Sequence, residues 1–388
     1  MKTNHPPRSR KVFAGTLILL VACLFTASSC KKEPTASGGR LGSQKFAGVV
    51  ELGAILPMTG DAAKYGKWGA QGIELAVEEV NSAGGINGKR LDVKIEDSRT
   101  NPTEAVTAAN LMISQDKPKV ILTTLTGVVN ALVPITERNK IILFANATLP
   151  GLTEKGRLVF RNVANLASDI AQATQFCAGK LDKPSVAVIW RNDEFGVWGN
   201  EAFRKSYSGY GGSIVASEGY DPGRDDFRTQ LTHIVGQRPR LIYILGYSES
   251  GKIMKQAREL GFKGTFMGIT TIGDPEVRRI AGNAAEGAYF TESAFNPDNP
   301  ELADFQKKYQ AKFGEKVEVW GATFYDAVKI LQIALQKDTA NEDVIRENLL
   351  AIKDFPGISG KTSFLPSGDV LKPVNVKVIK NGAIEIVK

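Results

Sequence analysis

Cysteine and histidine are scarce in this chain of 388 residues, which has three of the first and two of the second. Beyond residue 30 only Cys177 and His233 are left. This count excludes metal sites and catalytic relays that need several histidines, and it excludes a disulfide within the body of the chain. Cys177 falls on the apolar side of a predicted helix, which predicts a buried structural thiol.

Motifs of nucleotide and ester chemistry are also missing. No G-x-x-x-x-G-K-[ST] occurs, and "GYGGS" (209–213) follows a predicted helix, unlike a dinucleotide-binding turn. The stretch "GYSESG" (246–251) resembles a nucleophile elbow, but it lacks glycine two positions after Ser248. His233 also precedes this serine, whereas hydrolases of that class place their histidine last. We therefore expect neither an enzyme nor a cofactor.

Charge of one sign is not concentrated anywhere in the chain. The formal net charge of +8 falls to +4 without the first 29 residues, which hold four basic side chains and no acidic one. The remaining charges are interspersed and form no basic stripe with interleaved aromatics. Nucleic acid is therefore not expected as a partner.

The amino-terminal segment has the pattern of an export signal. Basic residues precede Val12–Phe25, an apolar run of 14 residues that is shorter than a membrane span. Small residues then lead to Cys30. This predicts a signal peptide over 1–29, followed by a lipidated cysteine and flexible tether over 30–46. Cys23 is the alternative lipidation site, and a fully released soluble protein is the alternative outcome.

Beyond the tether, strand-like and helix-like segments alternate in two successive runs. The pattern predicts a short apolar strand at Val49–Leu56, an amphipathic helix at Trp68–Ala83, a helix N-cap at Asn101 and a later helix at Asp225–Val235. Such alternation predicts parallel sheets covered by helices on both faces. The length suggests two domains, and in such sheets ligands bind beyond the carboxyl ends of the strands.

Seven stretches between residues 46 and 388 resemble, in the same order, the branched-chain amino-acid binding family, the Leu/Ile/Val-type solute receptors of ABC importers. They are "AILPMTGDAAKYGKWGAQGIELAVEEVNSAGGINGKRLDVKIEDSRTNP", "LTEKGRLVFRN", "NDEFG", "GYDPGRDDF", "KQARELGFKG", "AGNAAEGAYF" and "FPGISGKTSF". The resemblance implies a type I periplasmic binding protein: an α/β fold of two Rossmann-like lobes with parallel sheets flanked by helices, joined by a three-crossing hinge. Lobe 1 would comprise 47–166 and 293–369, and lobe 2 would comprise 167–292 and 370–388.

In this family, hydroxyls and backbone N–H groups of the first lobe hold the α-carboxylate of the ligand. The resemblance implies Thr126 in "TTLTG" and Thr148 in "ANAT" as hydroxyl donors. Thr124 and Leu125 would line the turn, and the Asn146 carbonyl would contact the amino group. Hydrogen bonds to a charged group are worth ~1.5–3 kcal/mol each, so no arginine is required. The alternative is that these strand-end threonines only satisfy the backbone.

Aromatic side chains are implied as the walls of the site. Tyr65 in "KYG" matches the first-lobe aromatic, and Phe195 in "EFG" and Tyr247 in "GYSES" match those of the second lobe. The family often has tyrosine where Phe195 stands, so a hydroxyl is missing there. Trp68 lies one helical turn beyond Tyr65 and either extends that wall or packs in the core.

One position departs from the family pattern. Relatives that hold an α-ammonium often have glutamate where this chain has Thr270, and an ammonium closed into a cleft without a counter-charge is costly. Either another acid serves, or the ligand lacks that ammonium. Asp274 is near in sequence but precedes a proline as a helix cap. Arg191 either attracts a second carboxylate or an aromatic acid, or is a solvated loop arginine.

These features predict the extracytoplasmic solute-binding component of an ABC importer, located in the periplasm or cell envelope and lipid-anchored at Cys30. Its cleft is expected to close on a small amino acid or related carboxylate. The partners would be a permease with ATPase subunits, and we expect a monomer without a metal. The alternative is a ligand-sensing module that docks on a signalling receptor, since the same cleft serves both functions.

Overall fold

The computed structural model describes residues 46–295 and 302–387. The predicted signal peptide, both candidate lipidation cysteines and all but the last residue of the tether lie outside these ranges. The described strands are β1 (Val49–Leu56), β2 (Arg90–Asp97), β3 (Val120–Thr124), β4 (Ile142–Asn146), β5 (Val159–Arg161), β6 (Val186–Arg191), β7 (Ile214–Tyr220), β8 (Leu241–Leu245), β9 (Thr265–Gly268), β10 (Tyr289–Ser293), β11 (Ser363–Phe364), β12 (Val370–Leu371), β13 (Val374–Lys380) and β14 (Ala383–Ile386).

Helices alternate with these strands along most of the chain. They are α1 (Ala63–Ser82), α2 (Pro102–Gln115), α3 (Thr126–Arg138), α4 (Leu166–Gly179), α5 (Glu194–Gly209), α6 (Arg228–Gly236), α7 (Ser250–Glu259), α8 (Pro275–Ala281), α9 (Ala303–Phe313), α10 (Val319–Ala334) and α11 (Glu342–Ala351). Short 3₁₀ turns occupy Thr153–Lys155, Thr270–Gly273 and Gly282–Ala285. Within these residues no helix is long and apolar enough to span a membrane.

Two main sheets carry the fold. The first has the order β2-β1-β3-β4-β5 and is parallel throughout. The second has the order β14-β13-β10-β9-β8-β6-β7 and is parallel from β10 to β7, with β13 antiparallel to both of its neighbours. Because apolar helices cover both faces of these sheets, the predicted α/β class is confirmed.

The chain passes between the two sheets three times. It leaves the first sheet after β5, returns after β10 to lay α10 against α1, and crosses again between β12 and β13. Each passage lies next to the carboxyl end of a strand, so these segments help to surround whatever lies between the sheets. The lobe boundaries at residues 166, 292 and 369 stay a prediction.

Helix α1 starts five residues before the predicted Trp68, at Ala63. Glycine disfavours helix, but close packing against neighbouring backbone explains the glycines in this helix. A Cβ on Gly72 would lie 2.1 Å from the carbonyl oxygen of Gly321 in α10, and one on Gly66 would lie 2.1 Å from the Pro57 carbonyl oxygen. These glycines therefore let the helix approach its neighbours more closely than alanine permits.

Other local predictions have mixed outcomes. Asn101 caps α2 as predicted, since its side chain accepts the Thr103 N–H at 2.8 Å. The helix predicted from Asp225 begins only at Arg228, because the Asp226 carboxylate turns back to accept the Arg228 N–H at 3.1 Å. Cys177 is fully buried and free, which confirms the predicted burial, and burial raises the pKa of its thiol to about 12.

Candidate functional site

Carboxyl ends of strands from both sheets surround a small cavity, the central cavity, of about 50 Å³. Asn146 and Thr148 reach it from the end of β4, and Thr270 and Glu292 reach it from the ends of β9 and β10. Thr323 of α10 closes one side. The apolar lining consists of Val163, Ala164, Leu166, Ile269, Val319 and Trp320. Parallel strands bring these ends together, as the sequence predicts.

Two of the predicted threonine donors have hydroxyls that are unused by the described protein. Thr148 lines the central cavity, and Thr126 is buried at the start of α3; neither side chain hydrogen-bonds to a described residue. Thr124 differs, because its hydroxyl donates to the Asn146 carbonyl at 2.7 Å and so ties β3 to β4. Thr126 and Thr148 thus retain donors for a ligand, whereas Thr124 serves the backbone.

The amino terminus of α3 adds backbone donors beside Thr126. Leu125 immediately precedes this helix, has φ +68° and provides no side-chain cap. A positive φ is unfavourable for leucine, so the surrounding structure holds this turn in place. The first N–H groups of a helix have no intrahelical acceptor and favour an anion. This end of α3 can therefore receive a carboxylate.

Several predicted residues lie in a second recess, the outer groove, of about 630 Å³. Leu125 and Thr126 form one wall, and Arg191, Phe195 and Tyr247 form the facing wall. Thr126 and Thr148 therefore line different recesses. From the sequence, both threonines were expected to bind the same carboxylate, and this separation was not predicted.

A row of aromatic rings joins the two recesses. Ring centroids lie 4.8 Å apart for Tyr65 and Trp320, 6.1 Å for Tyr65 and Tyr247, and 5.5 Å for Tyr247 and Phe195. Trp68 packs edge-on to Tyr65 at 6.0 Å and is buried. Offset and edge-on ring pairs of this kind stabilise packing. The predicted aromatic wall is therefore one contiguous cluster, with Trp320 as a member that sequence reasoning missed.

The hydroxyl of Tyr65 is buried without a hydrogen-bond partner among the described residues. Burial raises its pKa well above the usual value, and the charges of Asp274 and Glu249 add to the shift. The phenol therefore stays protonated. Because a buried donor without a partner is costly, this O–H is available to a solute that enters between the sheets.

Thr270 lies in the central cavity and leads to an acid that the sequence did not single out. Its hydroxyl donates to Glu292 Oε1 at 2.6 Å, and Lys377 of β13 pairs with Glu292 Oε2. Lys377 also donates to the Phe295 carbonyl at 2.7 Å. The position where relatives often have glutamate thus holds a hydroxyl that orients a carboxylate from the neighbouring strand.

Asp169, in the first turn of α4, is a second acid in the cavity lining. Its side chain is buried and has no ion-pair partner within the described residues. Burial raises the pKa of Asp169 to about 7; the Thr291 hydroxyl opposes this shift, and Glu292 adds to it. Glu292 and Asp169 are single acids in the apolar stretches "AYFTES" and "NLASDIAQA". An acid isolated among mostly apolar neighbours was the sequence feature that could have indicated these two residues as part of a site.

Arg191 is buried at the end of β6, so of the two alternatives left open by the sequence, the solvated loop arginine is wrong. Its guanidinium contacts three carboxylates: Asp61 at 2.5 Å, Asp193 at 2.9 Å and Glu249 at 3.3 Å. Burial disfavours its charge, but Glu249 and Asp61 outweigh this effect and raise the pKa of Arg191. The guanidinium carbon also lies 4.9 Å from the centroid of the Tyr247 ring. Its partners were invisible in sequence because two of them are distant along the chain.

Asp274 caps α8, as the sequence indicates. Its Oδ1 accepts the Glu276 N–H at 2.7 Å and the Val277 N–H at 3.3 Å, and Lys64 of α1 pairs with it. Lys64 also contacts Glu276 at 3.2 Å. A lysine beside the first sheet thus reaches acids beside the second. Asp274 is committed to this helix end, although its Oδ2 has no partner among the described residues.

Two sheets whose parallel strands end at a shared cavity, with three chain passages between them, define the type I periplasmic binding protein fold. The family described as "Periplasmic binding protein" matches residues 49–383, and the chain belongs to it. This is a family of solute-binding proteins of ABC transporters, not of enzymes. Membership indicates a periplasmic location and confirms the resemblance found in the sequence motifs.

Relatives with known names bind amino acids. The chain is 27% identical over 333 residues to the leucine-, isoleucine-, valine-, threonine- and alanine-binding protein of Pseudomonas aeruginosa, with 84% of this chain and 88% of that one covered. Among solved structures, it resembles a leucine-binding protein, LivK, of Thermotoga maritima (29% identity, TM-score 0.81, coverage 87% and 98%). It also resembles the branched-chain amino acid transporter substrate-binding protein LivJ of Streptococcus pneumoniae in complex with isoleucine (28%, 0.80, 88% and 99%).

Proposed function

We propose that this protein is the solute-binding component of an ABC importer. It would take up a small amino acid or related carboxylate in the cleft between its two halves and close on it. The solute would then pass to a permease whose ATPase subunits supply the energy. The family membership and the amino-acid ligands of the relatives support this function.

One observation carries the proposal: the hydroxyls of Thr126 and Thr148 have no protein partner within the described residues, although both lie at strand or helix ends between the sheets. Thr126 and the open N–H groups at the start of α3 offer hydrogen-bond donors to an anion in the outer groove, and Thr148 offers one in the central cavity. Lys64 with Asp274 and Arg191 with Asp61 connect the two halves beside this site. These pairs are suited to hold a closed cleft.

The test is a thermal-shift screen of the purified protein against amino acids, dicarboxylates and aromatic acids. A solute at 100 times its dissociation constant adds ~2.7 kcal/mol to the free energy of unfolding and raises Tm. Thr126→Ala and Thr148→Ala should each weaken binding by ~1.5–3 kcal/mol, the value of a hydrogen bond to a charged group. This corresponds to roughly 10- to 150-fold in Kd.

The matched control is Thr136→Ala. The hydroxyl of Thr136 donates to the Leu132 and Val133 carbonyls inside α3, away from both recesses, so this variant should bind as the parent does. Equal affinity of all three variants would show that the two threonines do not grip the solute. A screen in which no solute raises Tm would contradict the proposed function itself.

We also propose that Cys30, outside the described residues, carries the lipid that holds the protein at a membrane. Metabolic labelling with a radioactive fatty acid should mark the parent but not Cys30→Ala. Labelling that is lost in Cys23→Ala instead would move the anchor to that cysteine.

A further inference from the structure

Two acids and one lysine meet at the wall of the central cavity formed by the second sheet. Asp169 and Glu292 both line the cavity, and Lys377 pairs with Glu292. All three side chains are buried. When both carboxylates are ionised, this group therefore carries one net negative charge, and water has little access to screen it.

The excess negative charge belongs to Asp169. Both oxygens of Glu292 already have donors, since Thr270 binds one and Lys377 binds the other. Asp169 is only 8% exposed and forms no salt bridge with any described residue. A buried carboxylate that faces a cavity without a counter-charge is an unusual arrangement. A cation from outside the protein would supply the missing counter-charge.

We propose that the solute carries an ammonium group and that Asp169 receives it, with Glu292 strengthening the negative potential. This inference rests on the proposed function, because it requires a solute in the central cavity. Thr148, which lines the cavity from the end of β4 in the first sheet, would donate its hydroxyl to the carboxylate of the solute. The ligand class is therefore a zwitterionic amino acid and not a carboxylate without nitrogen. Ammonium recognition, absent at Thr270, comes from α4 and β10 instead.

Groups from each neighbouring element determine how this contact depends on pH. Burial, together with Glu292 of β10, raises the pKa of Asp169 to about 7. Tyr243 of β8 and Lys377 of β13 are titratable groups on neighbouring elements. Glu318, at the start of α10, lies beside Glu292 and Lys377, and burial together with Asp274 and Glu292 raises its pKa to about 8. Helix α5 packs on α4 through Gly199 against Leu166 and brings no charge to this contact. Because an ammonium pairs with the ionised carboxylate, binding below pH 7 must first remove a proton, and affinity falls.

The experiment compares amino acids with nitrogen-free partners of the same skeleton. The probes are L-leucine, L-isoleucine, L-valine, L-threonine and L-alanine, each matched with the carboxylic acid that lacks only the amino group. Calorimetric titration should give a Kd at least about tenfold lower for the amino acid of a pair at pH 8. The same Kd should rise about tenfold between pH 8 and pH 6 as Asp169 takes up a proton.

Variants of Asp169 test its part directly. Asp169→Asn should raise the Kd of the bound amino acid about tenfold or more at pH 8 and flatten its dependence on pH, whereas Asp169→Glu should retain both properties. Glu104→Gln is the control, since Glu104 also lies in a first helical turn but its side chain is 45% exposed. The solute-free Asp169→Asn protein should melt no lower than the parent, which a purely structural carboxylate would not allow.

The outcomes separate this inference from the function on which it rests. Equal binding of the nitrogen-free acids, or an Asp169→Asn variant with unchanged affinity and pH dependence, overturns the ammonium assignment and leaves solute binding intact. If neither set of probes binds and the wider screen also finds no solute, the proposed function fails, and this inference fails with it.

Discussion

Two buried arginines each end a strand, Arg161 at the edge strand β5 of the first sheet and Arg191 at the inner strand β6 of the second, and they serve different purposes. Arg161 meets one carboxylate, Asp369, through two hydrogen bonds of 2.6 Å each, and the Leu149 carbonyl at 2.7 Å. Arg191 meets three carboxylates. A buried arginine at a strand end can therefore either hold the chain passages in place, as Arg161 does, or connect the two halves, as Arg191 does. The carboxylates that it meets determine which of these it does.

The partner of Arg161 belongs to the chain passages. Asp369 precedes β12, close to the third crossing, and it also accepts the Asn165 amide at 3.3 Å just before α4. Burial tends to raise the pKa of Asp369, but the hydrogen bonds and charge of Arg161 outweigh it and lower that pKa. The pair thus joins two of the three passages and stays ionised. By contrast, Asp61 brings Arg191 a partner from the loop before α1, in the opposite half.

The largest expected effect is on stability, at Asp369. Asp369→Asn keeps the shape but leaves Arg161 charged, buried and unpaired, so the free energy of unfolding should fall by ~3–5 kcal/mol. Urea denaturation followed by tryptophan fluorescence measures this change. Asp343→Asn is the control, because Asp343 and its partner Arg157 are at least half exposed and such pairs are worth ~0–1 kcal/mol.

A loss at Asp369 no greater than at Asp343 would remove the distinction between the two arginines. It would mean that the passages are held by packing alone and that the buried pair adds nothing to the framework.

A smaller effect is expected on binding, at Asp61. Asp61→Asn removes the contact between the halves, while Asp193 and Glu249 still neutralise Arg191. The Asp61 side chain is 31% exposed, so the loss should be about 1 kcal/mol, or roughly fivefold in Kd. The free energy of unfolding should hardly change. Calorimetric titration of the solute found in the screen measures the first quantity, and urea denaturation measures the second.

Asp221→Asn serves as the control for this change, since Asp221 pairs with Arg224 on the surface at 3.8 Å and both are about two-thirds exposed. If Asp61→Asn lowers stability but leaves Kd unchanged, Arg191 belongs to the framework as Arg161 does, and the proposed closure has lost one of its two charged contacts.

Much of the fold was predictable because its signals are local. The apolar strand Val49–Leu56 and the Asn101 cap depend on neighbours a few residues away, and the structure has both as expected. The first turn of α1 was missed; it contains Gly66, which argues against a helix locally, while its packing partner Pro57 lies in the preceding loop. Tertiary contact overrides propensity there.

The sequence by itself determined the alternation of strands and helices, the family and the threonines at strand ends, because periodicity, motifs and strand-end chemistry are written over short stretches. Only the tertiary structure decided that Arg191 is buried among carboxylates and that Asp169 and Glu292 line one cavity. Those residues are remote in sequence, and their meeting depends on which strands pair and where α4 packs. Burial then sets their charge and pKa, which no local pattern contains.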